Sequence, residues 1–198
     1  MTSDPQSRAR VLLEPDDLVG FEINKRYRLD SVIGEGGMGV VFRSHQKGVD
    51  RDVAIKLLKP GGPNAIRRIE RFEREISIIS NLSHPNIVRV YDTGRDNRLK
   101  LNFIAMELVR GISLDTVMRS HLLKAELALE VAYQVCGALT EPHEQDIIHR
   151  DIKPENTLLV ARRDDTIQVK VLDFGIARSY RGDGRVTTTG VVMGTPRY

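Results

Sequence analysis

The 198-residue sequence contains one cysteine, Cys136. No internal disulfide can form, so a reducing compartment fits. Cys136 falls in an apolar helical pattern and reads as a buried small hydrophobe rather than a nucleophile. No apolar run approaches the about 18 residues of a membrane helix. The opening MTSDPQSRAR has no apolar stretch of the signal-peptide kind, and residues 1–22 read as a polar, mobile leader. Neither sign of charge dominates: 30 Lys and Arg stand against 27 Asp and Glu, net +3, with pI about 9.1. The charges are interspersed, which indicates a solvated mixed surface and no nucleic-acid patch. Internal repeats and low-complexity blocks are also missing. The expected location is cytoplasmic, with a membrane anchor C-terminal to this chain left open.

What is present is ordinary globular composition, 40% hydrophobic and 29% charged, arranged in two halves. In the first, YRLDSVIG and VVFRSH flank a glycine cluster at 34–39 and read as a hairpin. RDVAIKLL, HPNIVRVYD and LKLNFIAMEL give three more strands. Between them, AIRRIERFEREISIISNL has Ile69, Phe72, Ile76 and Ile79 at helical spacing. In the second half, LKAELALEVAYQVCGALTE is a long helix with Leu127, Val131, Val135 and Leu139 on one face, and Pro142 should end or kink it near Thr140. Two short strands, TLLV and IQVKVL, follow. The pattern is that of a two-lobed α+β protein, with a five-stranded sheet and one main helix joined to a mainly helical half.

Three stretches carry chemistry. GEGGMGVV places Gly34, Gly36 and Gly39 at G-x-G-x-x-G spacing. A dinucleotide-binding turn of that spacing opens a helix. Here a β-branched run follows, so the glycines form a hairpin tip that can lie over phosphates and offer its N–H groups. Lys56 lies inside the apolar strand VAIK, where an ammonium needs a carboxylate or phosphate partner. Glu73 and Glu75 on the next helix both lie roughly 80° from its apolar centre at about 100° per residue, so periodicity leaves the choice open. HRDIKPEN, from His149 to Asn156, packs cations, carboxylates and an amide into eight residues, and DFG follows at 173–175.

With IGEGGMGVV, VAIK, RFEREI, HPNIV, MELVRG, HRDIKPEN, VLDFG and GTPRY in order, the sequence resembles the eukaryotic-type (Hanks-type) protein kinase family, and within it the bacterial Ser/Thr kinases. The resemblance covers residues 27–198. It implies a bilobal protein-kinase-like fold over 23–198, with an antiparallel N-lobe at about 23–106, a hinge at about 107–111, and a partial C-lobe at 112–198.

The resemblance also implies roles. Asp151 would accept or orient the substrate hydroxyl proton, and Lys153 would reach the γ-phosphate. Asn156 and Asp173 would hold Mg²⁺ or Mn²⁺. Lys56 would contact the α- and β-phosphates of ATP, with Glu75 as its partner. Gly34, Gly36 and Gly39 would cover those phosphates. Ile33, Val41 and Ala54 would roof the adenine, Leu158 would floor it, and Met106 is at the gatekeeper position. The Glu107 carbonyl and the Val109 N–H would take the adenine edge. His149 would be structural, packed against Phe174, and His84 and His143 are read likewise as core histidines. Thr157 departs from the family, which usually has an apolar residue there, and only a small packing cost is expected. Lys153 and Thr195 point to Ser/Thr substrates, Thr195 by bonding to Asp151 and Lys153. Thr187 and Thr189 are expected to be autophosphorylated and to pair with Arg150.

The chain stops at Tyr198, before the family's PE segment and later helices, so a C-terminally truncated domain with apolar surface exposed on its long helix is expected. Protein substrates bearing Ser or Thr are implied, and family analogy suggests a homodimer through the small lobe. The alternative function is a non-catalytic ATP-binding regulator or interaction fragment.

Overall fold

The structure is a computed structural model that describes residues 14–36, 39–58, 76, 80–120, 123–149 and 151–173. Among them are two antiparallel sheets and two helices. Five long strands appear as the alternation of the first half predicts: β2 (Tyr27–Gly36), β3 (Gly39–Gln46), β4 (Arg51–Leu58), β5 (Val90–Asp96) and β6 (Leu101–Glu107). A two-residue strand, β1 (Glu22–Ile23), adds a sixth, and the order is β1-β2-β3-β4-β6-β5. The sequence placed these two residues at the edge of a polar leader. Yet Leu18 and Ile23 are buried with Tyr27, Leu29, Phe42, Ile55 and Phe103 in the upper core. Two apolar anchors are enough to lay this short segment on the sheet. The strand expected over 84–92 begins only at Val90, because residues 86–88 are taken by the lower sheet. The helix expected over 65–82 falls, except for Ile76 and residues 80–82, outside the described residues.

The sheet curls until its two edges meet. Asp96, at the end of β5, is 2% exposed and accepts N–H groups from Asn24, Arg98 and Leu99, each at 2.9 Å. Asp92 accepts from Tyr27 Oη at 2.7 Å and Arg26 Nη1 at 2.8 Å. Burial raises the Asp96 carboxyl, but its three amide donors and Arg98 outweigh that and hold it below the usual carboxylate value.

The second sheet has the order β7-β8-β9, with β7 (Ile112–Ser113), β8 (Thr157–Ala161) and β9 (Ile167–Val171). Helix α1 (Leu114–Ser120) and helix α2 (Ala125–Glu144) complete the lower half. On α2, Val131 and Ala138 are buried, and Leu127, Val135 and Leu139 pack against the same lower core. Contrary to expectation, α2 runs through Pro142 to Glu144. Proline's fixed φ suits a helix and its missing N–H costs one bond, two residues before the helix ends, while the ring itself is buried. Two further expectations are corrected: Cys136 is exposed, and so is His143. Cys136 sits about 100° round the helix from Val135, nearer the face that carries Leu129 and Tyr133, 72% and 77% exposed.

The halves interlock through backbone. Ile87 pairs with Val171 as a parallel bridge. Val88 N–H donates to Val171 at 3.0 Å, and Val171 N–H to Asn86 at 2.7 Å. Asn86 Nδ2 also reaches Gln134 of α2 and the Val169 carbonyl, both at 2.7 Å. Leu58 and Ile104 from the upper sheet share one core with Val131, Leu159 and Val169.

Replacing Asp96 with Ala would leave three partly buried N–H groups without their acceptor where the sheet edges meet. The expected loss is about 3 kcal/mol in urea unfolding at unchanged slope. An unchanged midpoint would show that the edges do not depend on this carboxylate.

Candidate functional site

The site lies between the sheets. Every residue of β4 from Val53 to Leu58 is buried. Val53, Ile55 and Leu57 enter the upper core, and alternation turns Ala54, Lys56 and Leu58 toward the lower half. Lys56 is thus 5% exposed. Its Nζ is 2.6 Å from Oδ2 of Asp173, in the segment leaving β9. Asp173 has a left-handed backbone, φ +56°, a conformation that aspartate tolerates better than most residues. Glu75, the partner implied by resemblance, lies outside the described residues.

A second cluster forms on the loop before β8. Lys153 Nζ is 3.0 Å from Asp151 Oδ2. Asn156 Nδ2 donates to the Asp151 backbone carbonyl and to Oδ2, both at 2.9 Å. Residues Pro154–Asn156 form a 3₁₀ turn opened by the proline. His149 is 1% exposed, with Nε2 2.7 Å from the Leu172 carbonyl and Nδ1 3.3 Å from the Asp151 N–H. Burial pushes its imidazole below the ordinary value, against the pull of Leu172, Asp151 and Asp173. A neutral ring donating from Nε2 and accepting at Nδ1 satisfies both contacts. His149 thereby stitches the Asp151 loop to the strand end that carries Asp173. Its expected contact with Phe174 lies outside the described residues, as do Gly175, Arg150, Thr187, Thr189 and Thr195.

An apolar cluster that includes Leu172, next to Asp173, brings together Val41, Ala54, Met106 and Val109. It adds three residues that the sequence reading did not name: Val88, Leu108 and Leu172. Position in HPNIV and VLDFG was the available signal for the first and last. Ile33 is 51% exposed and, like Leu158, stands outside this cluster. Glu107 is fixed on both sides: its N–H donates to Arg89 at 2.8 Å, and its carboxylate takes Lys170 Nζ at 2.8 Å. The linker then crosses β8 closely, for a Cβ on Gly111 would lie 2.8 Å from the Leu159 carbonyl oxygen.

The three glycines are not equivalent. Nothing lies within 4 Å of where a Cβ on Gly36 would sit, and one on Gly34 would touch only Val41 at 3.9 Å. A Cβ on Gly39 would fall 2.0 Å from the Leu57 carbonyl oxygen. Gly39 therefore permits the β3–β4 pairing, while Gly34 and Gly36 leave space open above the site.

Asn156 commits its Nδ2 to Asp151, which leaves its carbonyl oxygen as a hard donor alongside the Asp173 carboxylate. Two such oxygens suit Mg²⁺, which takes few protein ligands and completes its shell with phosphate and water.

Gly39→Ala should abolish or severely weaken folding, whereas Gly36→Ala should melt within about 3 °C of the parent protein in a thermal unfolding scan. Equal melting of the two variants would contradict the separate roles.

Known proteins resemble this chain in sequence and in fold. The protein kinase domain family matches residues 27–198. The serine/threonine-protein kinase Pkn3 of Myxococcus xanthus is 41% identical over 189 residues, 93% of this chain and 34% of that protein. PrkC of Bacillus subtilis, a serine/threonine-protein kinase, is 38% identical over 182 residues, 91% of this chain and 27% of its own length. The crystal structure of the PknI kinase domain of Mycobacterium tuberculosis superimposes with a TM-score of 0.69 at 29% identity, covering 81% of this chain and 63% of that one. The chain thus spans about a third or less of these curated relatives. The family match spans most of the sequence and the solved kinase domain shares the fold, and this chain belongs to the protein kinase domain family.

Proposed function

We propose that the chain transfers the γ-phosphate of ATP to Ser or Thr hydroxyls of proteins. The observation that carries this reading is the convergence of Lys56 from the upper sheet with Asp173, Asp151, Lys153 and Asn156 from the lower half. Its relatives bear the name serine/threonine-protein kinase. In the reaction, the hydroxyl oxygen bonds to the γ-phosphorus as the bond from that phosphorus to the β–γ bridging oxygen breaks. ADP leaves, and the hydroxyl proton passes to the Asp151 carboxylate. Lys153, already beside Asp151, places a cation where the transferred group gathers charge. Lys56 holds the α- and β-phosphates once Asp173 shares its charge with the ligand. The adenine enters the slot of Val41, Ala54 and Met106, with Ile33 above and Leu158 below, and takes the Glu107 carbonyl and Val109 N–H. Asn156 and Asp173 would hold a divalent ion, which would supply positive charge to the phosphates.

Thr195 would complete the hydroxyl site and support the Ser/Thr preference. Autophosphorylation at Thr187 and Thr189, paired with Arg150, belongs to the same reading.

Labelled ATP with Mg²⁺ and a generic Ser/Thr-containing protein tests it. Wild type should transfer label, some of it to residues 187–189, and Asp151→Asn should lower the rate about 100-fold or more with ATP still bound. Equal rates in the two proteins, or ATP binding without transfer by the wild type, would overturn the reading.

A further inference from the structure

Thr157 stands where a packing residue was expected, and its hydroxyl is engaged. It is 3% exposed at the start of β8, with its Cα paired to Val171 of β9. Its Oγ1 donates to the backbone carbonyl of Lys153 at 3.1 Å, and its N–H donates to the Pro154 carbonyl. The Lys153 carbonyl also receives the Asn156 N–H at 3.0 Å. Both donors therefore close on one carbonyl within a turn that carries Asp151, Lys153 and Asn156. The other side of the turn is fixed as well, because Leu172 N–H donates to the Asn156 carbonyl at 2.9 Å. Lys153 itself is extended, at φ −161° and ψ 162°. The bonds that hold its carbonyl thus restrain the backbone of the residue whose ammonium reaches Asp151.

We infer that Thr157 is a positioning residue for phosphoryl transfer: its hydroxyl anchors the Lys153 carbonyl to β8 and so fixes the turn that aims Asp151, Lys153 and Asn156. This rests on the kinase reading above. An apolar side chain of the same shape fills the volume but leaves the Lys153 carbonyl with a single donor. The turn then keeps the Thr157 N–H bond to Pro154 and the Leu172 bond to Asn156 but loses the side-chain bond that holds the Lys153 carbonyl to β8. Small displacements of reacting groups cost rate steeply while leaving ground-state binding nearly intact. A hydroxyl that merely satisfies itself in the core would instead affect stability, and would leave turnover unchanged.

The test uses the full chain with Thr157→Val, which keeps the shape, and Thr157→Ser, which keeps the hydroxyl. Three readouts are taken: kcat and ATP KM for transfer to a generic Ser/Thr protein, the melting temperature, and hydrogen exchange at the Asn156 amide. Thr157→Val should lower kcat about tenfold with KM within about twofold, raise Asn156 exchange severalfold, and hold the melting temperature. Thr157→Ser should recover kcat to within about twofold. The inference is overturned if Thr157→Val keeps the wild-type kcat, if kcat falls only together with the melting temperature, or if Ser fails to rescue. Should the wild type transfer no phosphate, the kinase reading fails on that result alone. The Asn156 exchange rate still decides whether the hydroxyl fixes the turn, and an unchanged rate in Thr157→Val overturns the tether.

Discussion

Lys56 places a positive charge where almost no water reaches. Its side chain is 7% exposed, and its strand neighbours Ile55 and Leu57 belong to the upper core. Withdrawing an ammonium from water costs several kcal/mol, which apolar surroundings do not return. Among the described residues, the compensating carboxylate is Asp173, which lies 117 positions later, on the opposite side of the cleft. The charge balance of one sheet therefore depends on the placement of the other. A helix or sheet that shifted by even a few ångströms would leave two ions unpaired in poor solvent.

The backbone links supply the necessary fixity. Residues 86–88 leave the upper half and add themselves to β9 through the Ile87–Val171 bridge. Asn86 and Gln134 carry the tie onward to α2, where Gln134 also accepts the Val169 N–H at 2.8 Å. Above, the sheet is closed on itself at Asp92 and Asp96. Below, the neutral His149 bridges the Asp151 loop and the Leu172 carbonyl that precedes Asp173. Each tie is a modest hydrogen bond by itself. Together they leave the two ionic groups, Lys56–Asp173 and Asp151–Lys153, little freedom to separate.

Much of this was legible in the sequence because it rests on periodicity or on charge in an apolar setting. Lys56 announced itself by interrupting a buried strand, and the Leu127, Val131, Val135 and Leu139 stripe defined the inner face of α2. The glycine spacing located the hairpin tip. What escaped has physical reasons. β1 and β7 are two residues long, too short for any period to register. The Glu22–Ile23 strand is fastened by Asp96, 72 positions from Asn24, which local pattern cannot reveal. The passage of α2 through Pro142 comes two residues before the helix ends, where the ring is buried, and the exposure of Cys136 was decided by a single helical step. The threonine at 157 read as a packing flaw because its partner is a backbone carbonyl, and carbonyls leave no mark in composition. The same blindness hid the difference between Gly36 and Gly39, which only the nearness of Leu57 exposes.

The dependence of Lys56 on Asp173 is best tested by a double-mutant cycle of Lys56→Met and Asp173→Asn, read by chemical denaturation. Asp173→Asn leaves Lys56 buried without this partner and should cost about 3 kcal/mol, and Lys56→Met, which leaves the partly exposed Asp173 unpaired, should cost less. The double variant removes both charges and should cost less than the sum of the two by about 2 kcal/mol or more. Strictly additive costs would mean that Lys56 is stabilised without Asp173, and would contradict this account of the cleft.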